Sequence, residues 1–408
     1  MPPPAPSPAA QALAALDRGV WGLAERIAHH AVEANPADAA SWNVRGRVAM
    51  LARRPDLAAR WFSLASDADP RFKPAAKNLL DTRAATPAPS PPPPAFLIIL
   101  PWGAGFFSDV DMVLGGALTA EITGRTPVVL WGRGSLFHDE GAANAWTRFF
   151  EPLSGATAAE ALDRCRDGVF HTRYSTENLP QGPQHKTIGP GSLLAAYHHF
   201  PRTEPVCVFD FHTGIANLLD WLPDGHRLCG ASVAAAYRDM AARYLRPAPA
   251  IAAAADELER SRLRDRPGPV LAVHARGSDK FAEDPDIAKA HAEYPARVDA
   301  FLAAEPDARV FLITDSTHLL AEFSDRYGDR LITTDAARTA GRQGIHYLAA
   351  PSRESLGRDV LLDALLAARC DAFLGYGMSN VSCFVRALKD WPPGACTLIG
   401  RAMVEIRK

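Results

Sequence analysis

The residues best suited to chemistry lie in one short run, His274-Ala275-Arg276-Gly277-Ser278-Asp279-Lys280. It follows an apolar stretch, Pro269-Val270-Leu271-Ala272-Val273, with the composition of a buried parallel strand. A strand ending in cations and hydroxyls sets charge at the carboxyl edge of a sheet, where open α/β sheets bind ligands. Arg276 can grip a phosphate through two parallel hydrogen bonds and does not lose its charge. The run therefore reads as part of a site for a phosphorylated ligand. The plainer alternative is a surface Arg–Asp pair closing a strand.

Three further pieces fall at expected strand ends. Thr314-Asp315-Ser316 follows Val310-Phe311-Leu312-Ile313. Gly357-Arg358-Asp359-Val360-Leu361-Leu362-Asp363 opens a helix. Gly375-Tyr376-Gly377-Met378-Ser379-Asn380 joins a strand to a helix. The last is a small-residue turn at a helix N-terminus, whose free N–H groups and roughly half a positive charge suit a phosphate. Ser379, Asn380 or Asp315 would serve equally as ordinary N-caps. Asp109-Val110-Asp111 has the spacing of a metal-diphosphate pair, or is simply two acids favouring a helix dipole. His212 follows a strand, where it either faces a cleft or packs away from it. No G-x-S-x-G elbow, Walker loop, H-E-x-x-H or complete G-x-G-x-x-G is present.

The elements that must position these residues fall into several parts. A chain of 408 residues suggests two or three domains, and 48% apolar content supplies well-buried cores. A net charge of -2 gives no general attraction to nucleic acid or anionic membrane, so any anion site must be local. The six cysteines form no C-x-x-C pair, which argues against zinc or thioredoxin-like chemistry. The start, Met1-Pro2-Pro3-Pro4, is not a signal peptide, and the most apolar run, Ala95 to Leu100, is too short to span a bilayer. These features predict a soluble, cytoplasmic protein without membrane insertion.

Residues 1–10 read as a disordered Pro/Ala tail. Residues 11–83 have helical spacing and an internal repeat: Leu23, Ala24, Ala31, Asn35 and Pro36 recur as Leu57, Ala58, Ala65, Asp69 and Pro70, an offset of 34 residues. The segment resembles two degenerate tetratricopeptide units, whose period this is. Such units stack small residues and present a concave face to a partner. Two are few for independent stability, so they are expected to pack on the body or on another copy. Residues 84–94 form a polyproline linker. Residues 95–248 and 249–408 then alternate strand and helix, which predicts parallel, doubly wound sheets in two Rossmann-like lobes facing a cleft. Strands are expected at 96–101, 127–131, 206–211, 269–274, 308–314, 330–333, 371–375 and 396–400. Helices are expected at 112–123, 250–264, 295–303, 316–326, 354–369 and 380–388.

Residues 95 to about 400 resemble the inverting fucosyltransferases that include core α1,6-, nodulation-factor and protein O-fucosyltransferases. The carrying pieces are His274 to Lys280, Leu312-Ile313-Thr314-Asp315, Gly357 to Asp363, and Ser379-Asn380. Gly103-Ala104-Gly105, Trp146 to Pro152 and Arg243 to Pro247 add to them. The resemblance implies a GT-B-type glycosyltransferase with an acceptor lobe at 95–248 and a nucleotide-sugar lobe at 249–408. It implies GDP-fucose or a related donor, a glycan or protein acceptor, and neither metal nor resident cofactor. Donor contacts would come from His274, Arg276, Ser278, Asp315, Arg358, Asp363, Ser379, Asn380, Gly103 and Gly105. In this scheme Asp363 receives the guanine edge, while Arg276 and the Ser379-Asn380 turn neutralise the leaving diphosphate. Glu283 or Asp284, oriented by Asp279 and Lys280, would take the acceptor proton. A solvated acidic loop is the alternative for these carboxylates. The family has Arg-Arg where this chain has Arg276-Gly277, which leaves a different nucleotide sugar open. A catalytically inactive scaffold that binds a protein through its helical repeats is the remaining reading.

Overall fold

The computed structural model describes residues 5–171, 173–174, 177–179, 195–277, 284, 286–341, 344–345 and 352–406. Five helices come first: α1 (Pro8–Asp17), α2 (Trp21–Ala34), α3 (Ala39–Leu51), α4 (Pro55–Ala68) and α5 (Lys73–Thr82). Local chemistry starts several of them. Ser7 and Asp38 accept backbone N–H bonds at their N-termini, and Pro8 and Pro55 sit in first turns, where a missing N–H costs nothing. Each helix packs on the next. Ala24 and Ala58, two of the residues repeated at the 34-residue offset, are both fully buried. A Cβ at Gly46 would lie 2.3 Å from the Phe62 ring, so only glycine lets α3 approach α4 this closely.

The helices are anchored on the rest of the chain. Trp21 stacks on His198 at 4.3 Å, and Trp61 meets Trp221 edge-on at 5.0 Å. The buried Arg45 donates to Glu25 and to Asp220 at 2.9 Å each, with its guanidinium 4.2 Å from the Trp61 ring centre. Helical segment and α/β body therefore share one apolar core.

Among the described residues the body holds two wholly parallel sheets. The first contains β1 (Phe96–Ile99), β2 (Thr126–Val129), β3 (Val169–Phe170) and β4 (Val206–Phe209), in the order β2-β1-β4-β3. With it go α6 (Phe106–Thr123), α7 (Trp146–Phe149), α8 (Ala158–Arg164) and α9 (Val233–Tyr244). After α10 (Pro249–Leu258), the second sheet contains β5 (Val270–His274), β6 (Arg309–Ile313), β7 (Leu331–Ile332), β8 (Ala372–Tyr376) and β9 (Cys396–Ile399). Its order is β7-β6-β5-β8-β9. Its helices are α11 (Ile287–Ala304), α12 (Thr317–Tyr327), α13 (Arg353–Arg369) and α14 (Asn380–Ala387). Strands β1, β4, β5 and β6 are buried along their whole length, as continuous apolar runs covered on both faces should be.

Two helices begin earlier than the sequence suggests. α6 starts at Phe106 rather than 112, because Gly105 supplies an extended N-cap and Asp109 accepts the Ala104 N–H from within the first turn. α11 starts at Ile287 rather than 295 and carries Pro295 inside it. Its buried stripe of Ile287, Ala290, Tyr294, Val298 and Leu302 runs straight through the proline, and this burial outweighs the backbone bond that Pro295 cannot donate. The strand expected at 206–211 stops at Phe209.

Arg45 gives the test of this anchoring. Arg45→Ala removes the guanidinium that lies 2.8 Å from the Glu25 carboxylate, which is 4% exposed. The unfolding free energy measured in urea should fall by about 3 kcal/mol, with loss of the helical segment's protection from protease.

Candidate functional site

Strand order selects one place on the second sheet. β5 is hydrogen bonded to β6 on one side and to β8 on the other, with His274 opposite both Ile313 and Gly375. The connections leave β5 and β8 in opposite directions, so their carboxyl ends flank a switch point, where α/β sheets open a ligand crevice. Arg276 lies just beyond β5 and α14 starts just beyond β8.

The described residues that the sequence singles out take definite positions. Arg276 is mostly buried, and its guanidinium is 2.7 Å from Asp315 Oδ2. Asp315 Oδ1 accepts the Gly277 N–H at 2.8 Å. A Cβ on Gly277 would come within 2.6 Å of Ser316 Cβ, so the close approach of the β5 and β6 ends favours glycine here. His274 faces inward, with Nδ1 2.7 Å from the Ser382 hydroxyl. Burial, aided by the charge of Arg276, pushes its imidazole down to about 3 and keeps it neutral. His274 thus ties β5 to α14 from within and is not displayed at the edge. The Tyr294 hydroxyl donates to its carbonyl at 3.0 Å.

The N-terminus of α14 is left open. Ser379 occupies the cap position, but its side chain makes no capping bond, and Asn380 Oδ1 is buried without a partner. At α13 the opposite holds. Asp139, from the first half of the body, accepts the Ser352 hydroxyl and the Arg353 and Glu354 N–H groups at 2.5, 2.7 and 3.1 Å. Burial opposes ionisation of Asp139, but these donors hold its carboxyl below the ordinary range. Among the described residues, one helix end therefore already carries an anion and the other does not.

Asp363 projects from α13 and is buried. Thr334, just past β7, donates to its Oδ1 at 2.6 Å. Burial raises its carboxyl to about 7, against the opposing hydrogen bond from Thr334. Arg358 is exposed on α13. Gly105 borders open space at the start of α6, and Gly103 takes a left-handed φ of 73° in the turn before it. Asp284 Oδ2 accepts the Tyr376 hydroxyl at 2.6 Å, which ties this acid to the end of β8. Ser278, Asp279, Lys280 and Glu283 lie outside the described residues.

Sequence reasoning missed Thr334, Arg338, His291 and Ser382. Arg338 donates to the Thr334 carbonyl at 3.0 Å, and His291 Nε2 lies 2.8 Å from the Arg276 carbonyl oxygen. None belongs to a spaced motif; only the strand order brings them to this edge. The Asp109-x-Asp111 pair does not project as a ligand pair. Asp109 takes the Ala104 N–H, and Asp111 Oδ1 takes the Tyr237 hydroxyl at 2.5 Å. No helix among the described residues is long and apolar enough to cross a membrane.

No protein-family model and no curated protein matches the chain. Among solved structures it is similar to fucosyltransferase NodZ from Bradyrhizobium, at 20% identity and a TM-score of 0.46 over 72% of this chain and 91% of that one. It is similar to POFUT1 in complex with GDP, at 15% identity and TM-score 0.45 over 75% and 98% of the two chains. It is also similar to Arabidopsis thaliana FUT1 in complex with GDP, at 11% identity and TM-score 0.44 over 75% and 71%. At these values nothing about the chain's chemistry follows from the likeness.

Proposed function

We propose that the chain is an inverting, metal-independent glycosyltransferase that uses GDP-fucose or a close relative and acts on a glycan or protein acceptor. The two sheets would form the donor and acceptor lobes of a GT-B-type fold, at 249–408 and 95–248, and residues 11–83 would be a tetratricopeptide-like unit that holds the acceptor protein. One observation carries the reading: an uncapped helix N-terminus and Arg276 converge at the β5–β8 switch point. Together they offer a diphosphate a cation and fixed dipoles.

On this reading Arg276 and the Ser379-Asn380 turn stabilise the charge that develops as the sugar C1–O bond breaks. Asp315 presets the arginine while the site is empty. Asp363 accepts the N–H groups of the guanine edge. Ser278 and Lys280 add to the phosphate grip, Glu283 and Asp284 are the carboxylates nominated for the acceptor proton, and the enzyme works in the cytoplasm. The Gly277 packing supports a second reading of the donor, because it favours glycine where the family has its second arginine.

A thermal-shift panel of GDP, UDP, TDP and CMP separates the donors. GDP should raise the melting temperature most, in proportion to the logarithm of concentration over affinity; no response to GDP overturns the GDP assignment. GDP-fucose cleavage should persist in EDTA and fall about 100-fold or more in Arg276→Ala, with the fold intact by circular dichroism.

Asp363 adds a pH signature. Its carboxyl holds a proton up to about 7, and only the ionised form accepts two guanine N–H bonds. Binding must then expel that proton, so GDP affinity should rise as pH climbs towards 7 and level off above it. Calorimetry on Asp363→Asn should lose that part of the slope; an unchanged slope would remove Asp363 from the base site.

A further inference from the structure

The first sheet has its own switch point, between β1 and β4, and a polar cluster fills it. His212 Nε2 lies 3.0 Å from Asp111 Oδ2, while the Tyr237 hydroxyl bonds the other oxygen of Asp111 at 2.5 Å. Asp111 comes from α6, Tyr237 from α9 and His212 from the turn after β4, so three elements fix one imidazole. Two glycines make this possible. A Cβ on Gly115 would come within 1.8 Å of the Thr213 carbonyl oxygen, and one on Gly214 within 3.1 Å of the Tyr237 hydroxyl. The β4 turn can therefore lie directly against α6 and α9.

The cluster faces the second sheet. Phe107 of α6 stacks on Phe384 of α14 at 5.0 Å, and Tyr237 meets the same ring edge-on at 6.2 Å. Asp111 acts electrostatically on Cys383, one turn into α14. The cluster thus packs against α14, the helix whose N-terminus lies at the β5–β8 edge. Asp111 is 5% exposed, but the His212 side chain keeps 9% of its surface beside the half-buried Trp102 ring, 5.9 Å away. An imidazole with one nitrogen 3.0 Å from a buried carboxylate and part of its side chain exposed is suited to take a proton.

We propose that His212 is the general base for the acceptor hydroxyl, with Asp111 and Tyr237 as its positioning residues. This rests on the transferase reading above and replaces Glu283 or Asp284 in the base role. The acceptor oxygen forms its bond to the donor C1 as its proton passes to His212 Nδ1. The C1–O bond to the diphosphate breaks, and its electron pair stays on the phosphate oxygen at Arg276 and α14. Asp111 stabilises the imidazolium. Inversion requires attack from the face opposite the leaving group, and the first sheet's edge supplies that face. Asp284 is instead tied to Tyr376 at the end of β8, on the same sheet edge as Arg276.

The test uses the full chain, GDP-fucose and two nucleophiles. Water needs a base; azide carries no proton to remove. His212→Gln should cut hydrolysis by about 100-fold or more while GDP still raises the melting temperature as in the wild type. Azide should restore donor cleavage in this variant and yield the inverted fucosyl azide. Asp111→Asn should lose about tenfold and also respond to azide, whereas Arg276→Ala should not. If the wild type cleaves donor and His212→Gln cleaves it equally, or only Asp284→Asn is rescued by azide, His212 is not the base and the transferase reading survives. If the wild type neither responds to GDP nor cleaves GDP-fucose, the transferase reading itself falls, and this assignment with it.

Discussion

Hydrogen bonding of β8 to β5 is the constraint on which the candidate site depends. The order β7-β6-β5-β8-β9 sends the chain one way from β5 to β6 and β7, then back across to β8. Only at that reversal do two adjacent strands release their connections to opposite sides and leave a crevice between them. The register sets His274 opposite Gly375, so Arg276 and the turn before α14 leave the sheet at nearly the same height. His274 then fastens the junction from below through Ser382, whose hydroxyl also accepts the Tyr376 N–H at 3.1 Å. A neutral, fully enclosed imidazole suits this work, because a charge there would oppose Arg276 from a few ångströms away.

The same edge shows how a cation is kept ready without a ligand. Asp315 balances Arg276 and is itself held by the Gly277 N–H, so the guanidinium is oriented before anything binds. An anion arriving there would compete with a carboxylate whose position is already fixed. The gain is therefore smaller than for an unpaired arginine, but little side-chain entropy remains to be lost.

Much of this was legible in the sequence. Every strand expected in the second sheet is present within about two residues of its expected ends, because continuous apolar runs bounded by polar turns admit little else. Arg276, Asp315, Asp363 and the Ser379-Asn380 turn could be picked out as strand-end or helix residues for the same reason. The position of His274 was not legible: alternation alone does not say which residue at a strand's end turns inward. The Pro295 helix was missed because a local rule about proline was weighed without the buried stripe around it. The His212–Asp111–Tyr237 cluster was invisible for a deeper reason. Its members come from three elements, and only the glycines at 115 and 214 reveal how closely those elements approach.

Among the helices that begin at the carboxyl edge of the second sheet, the chain treats α13 and α14 differently. Both start with about half a positive charge and unsatisfied N–H groups. At α13 the demand is met internally: Asp139 reaches across from the first half of the body and accepts three donors. That contact also fixes α13, and with it Asp363, relative to the first sheet. Close packing reinforces it, since a Cβ on Gly357 would lie 2.6 Å from the Phe149 ring. At α14, among the described residues, no carboxylate caps the helix, the Ser379 side chain makes no capping bond, and the buried Asn380 Oδ1 lacks a partner. An orphaned polar group in a packed protein costs free energy, and the chain demonstrably has the means to avoid that cost one helix away. The asymmetry follows if the α14 terminus is the end reserved for an anion that comes from outside.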